Sequence, residues 1–280
     1  MPPILIFLII LAALCVALAV LYVLAVKGNP RRAETKRFAA GCYAHRGLHN
    51  ADRPENSMAA FRAAVEAGYD IELDVQLSRD GVPVIFHDAT LTRMCGIDAR
   101  VCDYTAEELS RITLNGKTGH TIPTFAEVLE MVDGRVMLLV EIKAEKDCAA
   151  VCGTAAALLD SYAGPFCVES FSPYAVRWFR DNRPTWVRGQ LSSRFLRDPR
   201  HQTVSGFIMQ LLLTNFLTKP DFIAFDCRHS RYFSYKLATR LLRAYGFGWT
   251  IKTRAQEIVC RPHFDAIIFE GYLPEKRKNT

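Results

Sequence analysis

The chain is expected to fold as an α/β protein, a (β/α)₈ (TIM) barrel preceded by one N-terminal transmembrane helix. Three observations lead there. Apolar, strand-like runs alternate with amphipathic stretches through most of the chain. Histidines and carboxylates gather at the ends of those runs, which is where such barrels mount reactive side chains. Residues 4–26 hold no charge, glycine or proline over 23 positions, long enough to cross a hydrocarbon core of about 30 Å.

The N-terminal run is read as an uncleaved anchor spanning residues 1–26. A cleaved signal peptide would want a basic n-region, and Met1-Pro2-Pro3 has none. Lys27, Arg31, Arg32, Lys36 and Arg37 follow, against the single acid Glu34, in a basic juxtamembrane linker at 27–40. Basic flanks favour the cytoplasmic side, so the N-terminus is expected outside and the rest inside. Nine cysteines without a Cys-x-x-Cys pair suit a reducing compartment. Cys15 lies within the anchor and is read as a packing residue. The collar could touch anionic headgroups, or serve topology alone.

Residues 41–274 then form one catalytic domain of roughly 240 residues, the usual size of a single barrel with modest insertions. A charged tail, 275–280, contains Glu275-Lys276-Arg277-Lys278 and is expected to fray. The net charge of +6 owes much to the collar, and no basic stripe carries interleaved aromatics, which argues against nucleic acid as a partner.

Taken in order, strands are expected at 42–45, 69–77, 82–87, 136–143, 166–170, 186–191, 221–226, 246–252 and 264–270. A helix is expected at 57–67, with apolar spacing Met58, Phe61, Ala64 and Val65. Capping boxes mark two more helix starts, Thr105 with Glu108 and Thr124 with Glu127. Ser78-Arg79-Asp80-Gly81 is too short for a crossover helix, so it implies a hairpin. Nine strands exceed eight barrel positions, and the hairpin supplies the spare, as an extension or as a reversed strand.

The chemistry-bearing segments are His45-Arg46-Gly47, Pro54-Glu55-Asn56-Ser57, Glu72-Leu73-Asp74, Asp80-Gly81, His87-Asp88 and Glu141-Ile142-Lys143. Glu72 and Asp74 are two apart on a strand, so their side chains share a face and can converge on one ion. Glu141 from a neighbouring strand would complete an oxygen set suited to Mg²⁺ or Ca²⁺. Arg46 and Lys143 are placed either to contact phosphate or to hold a carboxylate in position. Asp88 either orients His87 or shapes a loop, and Asn56 or Ser57 caps the following helix. Trp249 ends a late strand, against the substrate's alcohol or as barrel filler.

Those six segments, in that order, resemble the glycerophosphodiester phosphodiesterase family. Ile122-Pro123-Thr124-Phe125-Ala126-Glu127, Ser170-Phe171 and Trp249-Thr250-Ile251-Lys252 extend the likeness, which runs from about residue 41 to 274. The resemblance implies His45 and His87 as the acid–base pair and Glu72, Asp74 and Glu141 as ligands of one divalent cation. It implies cleavage of a glycerophosphodiester to glycerol 3-phosphate and an alcohol. His49, His120, His201, His229 and His263 match no catalytic position and are expected to be surface or structural.

The chain departs from the family in three places. Ser57 stands for threonine, the last loop reads Phe269-Glu270-Gly271-Tyr272-Leu273-Pro274 instead of carrying Thr-Asp, and the stretch from about 192 to 220 is long. Within it, residues 204–217 are apolar nearly all round, so they form a buried barrel helix or one that dips into membrane. The second possibility would suit lysophospholipid, cleaved in a phospholipase-D-like or cyclising reaction. A catalytically silent membrane-associated binding module is the reading of a different class, and it would predict a lost histidine or metal carboxylate. None is lost.

Overall fold

A computed structural model describes residues 1–29, 33–144 and 147–275. Arg31, Arg32 and the Lys276-Arg277-Lys278 tail lie outside the described residues. The nine expected strands are all present: β1 (Cys42–Ala44), β2 (Asp70–Leu77), β3 (Pro83–Ile85), β4 (Leu138–Ile142), β5 (Phe166–Ser170), β6 (Arg188–Ser192), β7 (Phe222–Asp226), β8 (Tyr245–Ile251) and β9 (Ala266–Phe269). Eight of them pair in parallel and close through β9–β1 and β1–β2 into a TIM barrel. Several strands are shorter than the apolar runs suggested, because run ends such as Phe86 and Lys143 belong to the loops.

The spare strand is β3. It pairs antiparallel with the outer end of β2, register Val75 with Ile85 and Leu77 with Pro83, so it is a reversed strand outside the barrel. Ser78 closes the turn by exchanging hydrogen bonds with Val82, and Gly81 supplies the positive φ of 78°. Residues after β3 form an insertion with its own small core around Val84, Phe86, Leu91 and Leu109. Both capping boxes are formed, at Thr105–Glu108 and Thr124–Glu127. Ser57, not Asn56, caps the helix Met58–Ala67, its hydroxyl accepting from the Ala60 amide at 3.2 Å.

Strand parity sorts the side chains into two cores. Ile71, Leu73 and Val75 face the surrounding helices, whereas Tyr43, Leu139, Cys167, Phe222 and Phe247 fill the barrel interior. The lower interior is aromatic: Phe222 stacks on Phe247 with ring centroids 4.0 Å apart. Gly189 makes room for this stack, since a Cβ there would lie 2.1 Å from the Phe222 ring.

The segment read as a basic linker has a structural job. It contains a helix, Ala33–Ala39, whose Phe38 is buried against the barrel's lower core while Tyr43 donates its hydroxyl to the Phe38 carbonyl at 2.9 Å. The apolar N-terminal helix spans Pro3–Val26, and its last turn docks on the barrel: Asn215 donates to the Val26 carbonyl at 2.8 Å and Tyr22 to the Leu211 carbonyl at 3.3 Å. All nine cysteines are free thiols.

Residues 204–217 are not a uniformly buried barrel helix. A short helix, Val204–Gln210, turns Gly206 and Gln210 inward and leaves Val204 and Phe207 exposed, and Phe216 is exposed further on. Gln210 accounts for the inward face, because its amide bonds the Tyr232 hydroxyl at 2.6 Å and the Leu196 N–H at 3.1 Å.

Substituting Gly189→Ala should cost about 1–3 kcal/mol, the usual cost of overpacking a filled interior. The denaturation midpoint of the detergent-solubilised chain measures this; an unchanged midpoint would show that the Phe222 ring can move aside.

Candidate active site at the barrel mouth

The strands place three carboxylates at one point. Glu72 and Asp74 share the inward face of β2, and the parallel register sets Asp74 beside Glu141 on β4. One oxygen of each lies within 4.8 Å of one of the others, and all three residues are buried. Uncompensated, such a cluster would be costly. Lys143 meets Asp74 at 2.9 Å and Glu141 at 2.6 Å, the Asn56 amide donates to Asp74 at 2.8 Å, and the Arg46 backbone N–H donates to Glu72 at 2.8 Å. That last bond depends on the turn after β1, where Arg46 takes a positive φ of 55°.

The charges remain unbalanced. Burial pushes Glu72 well above the usual carboxylate range, reinforced by repulsion from Asp74 and Glu141. Burial raises Glu141 to about 7 against the pull of Lys143. Burial acts on Asp74 as well, but Lys143, Arg46 and His87 outweigh it and hold it low. An all-oxygen set with surplus negative charge fits a hard divalent cation. Beside it on β5, Glu169 is a fourth buried carboxylate, raised well above its ordinary value by burial and by Glu141 and Glu72.

Each imidazole is oriented by a carboxylate through Nδ1. His45 follows β1 and contacts Glu270 at 2.6 Å; Glu270 follows β9, the strand that closes the barrel onto β1. Glu270 is held far below its usual range, chiefly by hydrogen bonding to His45 and His49, and it also pairs with Lys252. His87 contacts Asp88 at 2.6 Å. The reversed β3 brings it here: the hairpin rises beyond the mouth and returns, until the Phe86 N–H meets the Asp74 carbonyl at 3.0 Å. Gln76, inward on β2, then holds the Phe86 and Asp88 carbonyls at 2.7 and 2.9 Å.

Asp88 both orients His87 and fastens a loop. Its second oxygen accepts from Arg93 at 2.6 Å; Arg93 bonds Glu55 at 2.6 Å, and Glu55 bonds Arg46 at 2.6 Å. A chain of charged hydrogen bonds therefore connects the two halves of the site. Both histidines are pushed below the ordinary imidazole value, chiefly by burial, with Glu270 and Asp88 pulling the other way. With Nδ1 bonded to a carboxylate, Nε2 is the atom left for proton transfer.

The structure thus brings together His45, His87, Arg46, Lys143, Glu72, Asp74 and Glu141. Trp249 stands apart, on the far side of the mouth, its ring edge-on to Phe171 at 5.5 Å. The two rings line a cavity of 1680 Å³ above β5 to β8. Sequence reasoning missed Glu270, Gln76, Arg93 and Glu169. It also set aside His49, whose ring lies 3.8 Å from Glu270, and His201 and His229, which line the cavity. Glu270 had a usable signal: the closing strand of a barrel must end beside the first, so its terminal acid neighbours His45.

Comparison with known proteins agrees. The profile of the Glycerophosphoryl diester phosphodiesterase family matches residues 45–223. A glycerophosphodiester phosphodiesterase of Caldanaerobacter subterraneus is 33% identical over 172 residues, 58% of this chain and 70% of that protein. One from Bacillus altitudinis is 41% identical over 111 residues, 36% of this chain but only 43% of that protein's length. Among solved structures, an Oleispira antarctica phosphodiesterase in complex with the product sn-glycerol-3-phosphate shares the fold with a TM-score of 0.67, 22% identity and coverage of 82% and 92% of the two chains. A Thermotoga maritima glycerophosphodiester phosphodiesterase gives 0.61, 24% identity, and 82% and 94%. The family profile covers more than half of the sequence, and the chain belongs to the glycerophosphoryl diester phosphodiesterase family.

Proposed function

We propose that this chain hydrolyses glycerophosphodiesters to glycerol 3-phosphate and an alcohol, with His45 and His87 as acid–base pair. The observation that carries this reading is the pair of carboxylate-oriented imidazoles beside a buried carboxylate cluster. Glu72, Asp74 and Glu141 would hold one divalent cation, Mg²⁺ or Ca²⁺, which when bound neutralises phosphoryl charge and acidifies an oxygen nucleophile. Lys143 and Arg46 contribute fixed positive charge beside the same oxygens. Each histidine presents Nε2: the neutral one takes the proton of the attacking water or glycerol hydroxyl, and its partner, acting as imidazolium, gives its Nε2 proton to the departing alkoxide. Glu270 and Asp88 hold the rings and stabilise the imidazolium that forms. Trp249 contributes a wall for the alcohol.

We further infer a tethered enzyme: an anchor at 1–26, a juxtamembrane segment at 27–40, the catalytic domain at 41–274 and a tail at 275–280, with the N-terminus outside and the barrel cytoplasmic. Lys27, Lys36 and Arg37 support that topology through the charge rule. The anchor's path supports a mouth that faces the bilayer. Asn29 bonds Asp221 and the Pro220 carbonyl just before β7 begins, at the barrel's lower end, whereas Tyr22 lies against Phe233, which follows the loop at the upper end of β7. The remaining helix therefore continues upward, past the mouth. Val204, Phe207 and Phe233 are exposed on that rim. This favours a second substrate class, lysophospholipid drawn from the adjacent leaflet.

Glycerol 3-phosphate release from glycerophosphocholine should require added Mg²⁺ or Ca²⁺ and stop with chelator. His45→Ala or His87→Ala should lower kcat by about 10²–10⁴-fold, the usual worth of a general acid or base. Wild-type rates in either variant would remove the acid–base assignment. Glu270→Gln should cost less, and should shift the pH profile of kcat, since it removes the charge that supports protonated His45.

Cation affinity should rise with pH. Glu141, raised to about 7, and Glu72, raised well above its ordinary value by burial, must shed protons before a cation binds, and protonating either histidine adds opposing charge. Each proton displaced should strengthen binding about tenfold per pH unit through this range. Titrating the cation into chelator-treated protein at pH 6 and pH 8 checks the sign; a flat profile would mean the carboxylates are already ionised.

A further inference from the structure

The barrel mouth has two electrostatic halves, and the charged groups of only one serve the reaction just described. Glu72, Asp74, Glu141 and their partners occupy the side of β1, β2 and β4. The other half is the 1680 Å³ cavity over β5 to β8. Its charged lining comprises Arg194, Arg197, Arg228 and Arg231 against Asp198 and Asp226. Asp226 is consumed by Arg228, which grips both its oxygens at 2.6 to 3.1 Å. Asp198 faces His201 at 3.5 Å. Among the described residues, Arg194, Arg197 and Arg231 have no carboxylate within ion-pair distance.

The arginines act on the same volume. His229, also in the lining, is pushed below its ordinary value first by burial, which Asp226 opposes, and then by the joint field of Arg228, Arg197 and Arg194. Arg194 is held over the Tyr232 ring, 5.4 Å from its centroid, which orders its guanidinium without neutralising it. Unpaired guanidiniums on one concave wall form a recognition site for phosphate, because their planar forks match its oxygens. Phe171 and Trp249 line the cavity and rise from the ends of β5 and β8, so it opens toward the catalytic half. The Trp249 indole N–H is buried and has no hydrogen-bond acceptor.

We propose that this basic annex receives a leaving alcohol that itself carries a phosphate, so that the preferred substrate is a glycerophosphodiester with a second anionic phosphoryl group. The assignment rests on the phosphodiesterase reading for its substrate and on the cavity's own residues for its charge preference. The scissile phosphate lies at the carboxylate cluster, and the second one meets Arg194, Arg197 and Arg231. Because the mouth adjoins the anchor, such a compound could be a soluble headgroup or the same headgroup still acylated; the chemistry at the arginines is shared.

The test compares bis(glycerophospho)glycerol with glycerophosphocholine, using the full chain in detergent with Mg²⁺. The wild type should show a kcat/KM at least tenfold higher on the doubly anionic diester. Combined Arg194→Gln, Arg197→Gln and Arg231→Gln should collapse that ratio, mainly through KM, and the corresponding lysine triple should restore part of it. Binding is read separately from turnover, by tryptophan fluorescence as pyrophosphate is added in the presence of chelator; half-saturation should weaken at least tenfold in the glutamine triple. Equal pyrophosphate binding by the two proteins, or a substrate ratio unchanged in the triple, overturns the proposal. If the wild type cleaves neither diester, the phosphodiesterase reading fails, and the pyrophosphate titration still decides the annex. Offering the doubly anionic headgroup on an acyl chain in phosphatidylcholine vesicles separates the sources: faster cleavage there assigns a lipid, faster cleavage of the soluble form assigns the free headgroup, and both support the site.

Discussion

Like charges forced together at the top of a filled barrel are the constraint on which the rest depends. Four carboxylates, Glu72, Asp74, Glu141 and Glu169, are buried on three adjacent strands. Below them the interior is aromatic and aliphatic and offers no solvation. The surrounding polar residues read as responses to this load. Lys143 bridges two of the acids, Asn56 and the Arg46 amide each satisfy one, and Glu169 is pushed well above the usual carboxylate range by burial and by Glu141 and Glu72. The divalent cation proposed for this cluster would complete what those partners leave unfinished. The cluster is therefore a poor stabiliser, and its retained buried charge is what a cation-binding role would account for.

Barrel closure explains why residues far apart in sequence share this site. The β9–β1 pairing puts Glu270 beside His45, and no local pattern could have joined residues 225 positions apart. The hairpin solves a different problem. A ninth parallel strand would have ended elsewhere, whereas reversal of β3 along the extended β2 lowers His87 to the level of Asp74. The two histidines thus reach one mouth from a forward strand and from a returning one.

Much of this was legible in the sequence, for identifiable reasons. Glu72 and Asp74 sit two apart on a strand, so they had to share a face; that spacing alone also fitted a salt bridge or a solvated face, and the accompanying motifs tipped it towards an ion. Thr105–Glu108 and Thr124–Glu127 announce helix starts through bonds that are local. What escaped notice depends on contacts between elements. The segment 27–40 looked like a charged tether because its basic residues dominate, yet Phe38 closes the barrel floor. Residues 204–217 looked uniformly apolar, yet Gly206, Gln210 and Asn215 are buried beside Leu212 while Val204, Phe207 and Phe216 are exposed. Arg194, Arg197 and Arg231 are scattered along the chain, and only the loops above β6 and β7 gather them into one wall.

The anchor and the annex bear on each other through the helix Val204–Gln210. Its inner side, with Gly206 and Met209, lines the basic cavity, while Val204 and Phe207 lie on its outer side. Leu211, one residue beyond this helix, accepts the hydrogen bond from Tyr22 of the anchor. One short element therefore meets cavity, anchor and rim at once. Its sequence carries both demands: small and polar residues where loops must approach closely, apolar ones where water would be displaced. On the tethered reading proposed above, a headgroup leaving a bilayer beside the Pro3–Val26 helix would cross one helix diameter, about 10 Å, to reach the arginines. That short path would join the proposed tether, the insertion after β6 and the two-sided mouth into one device.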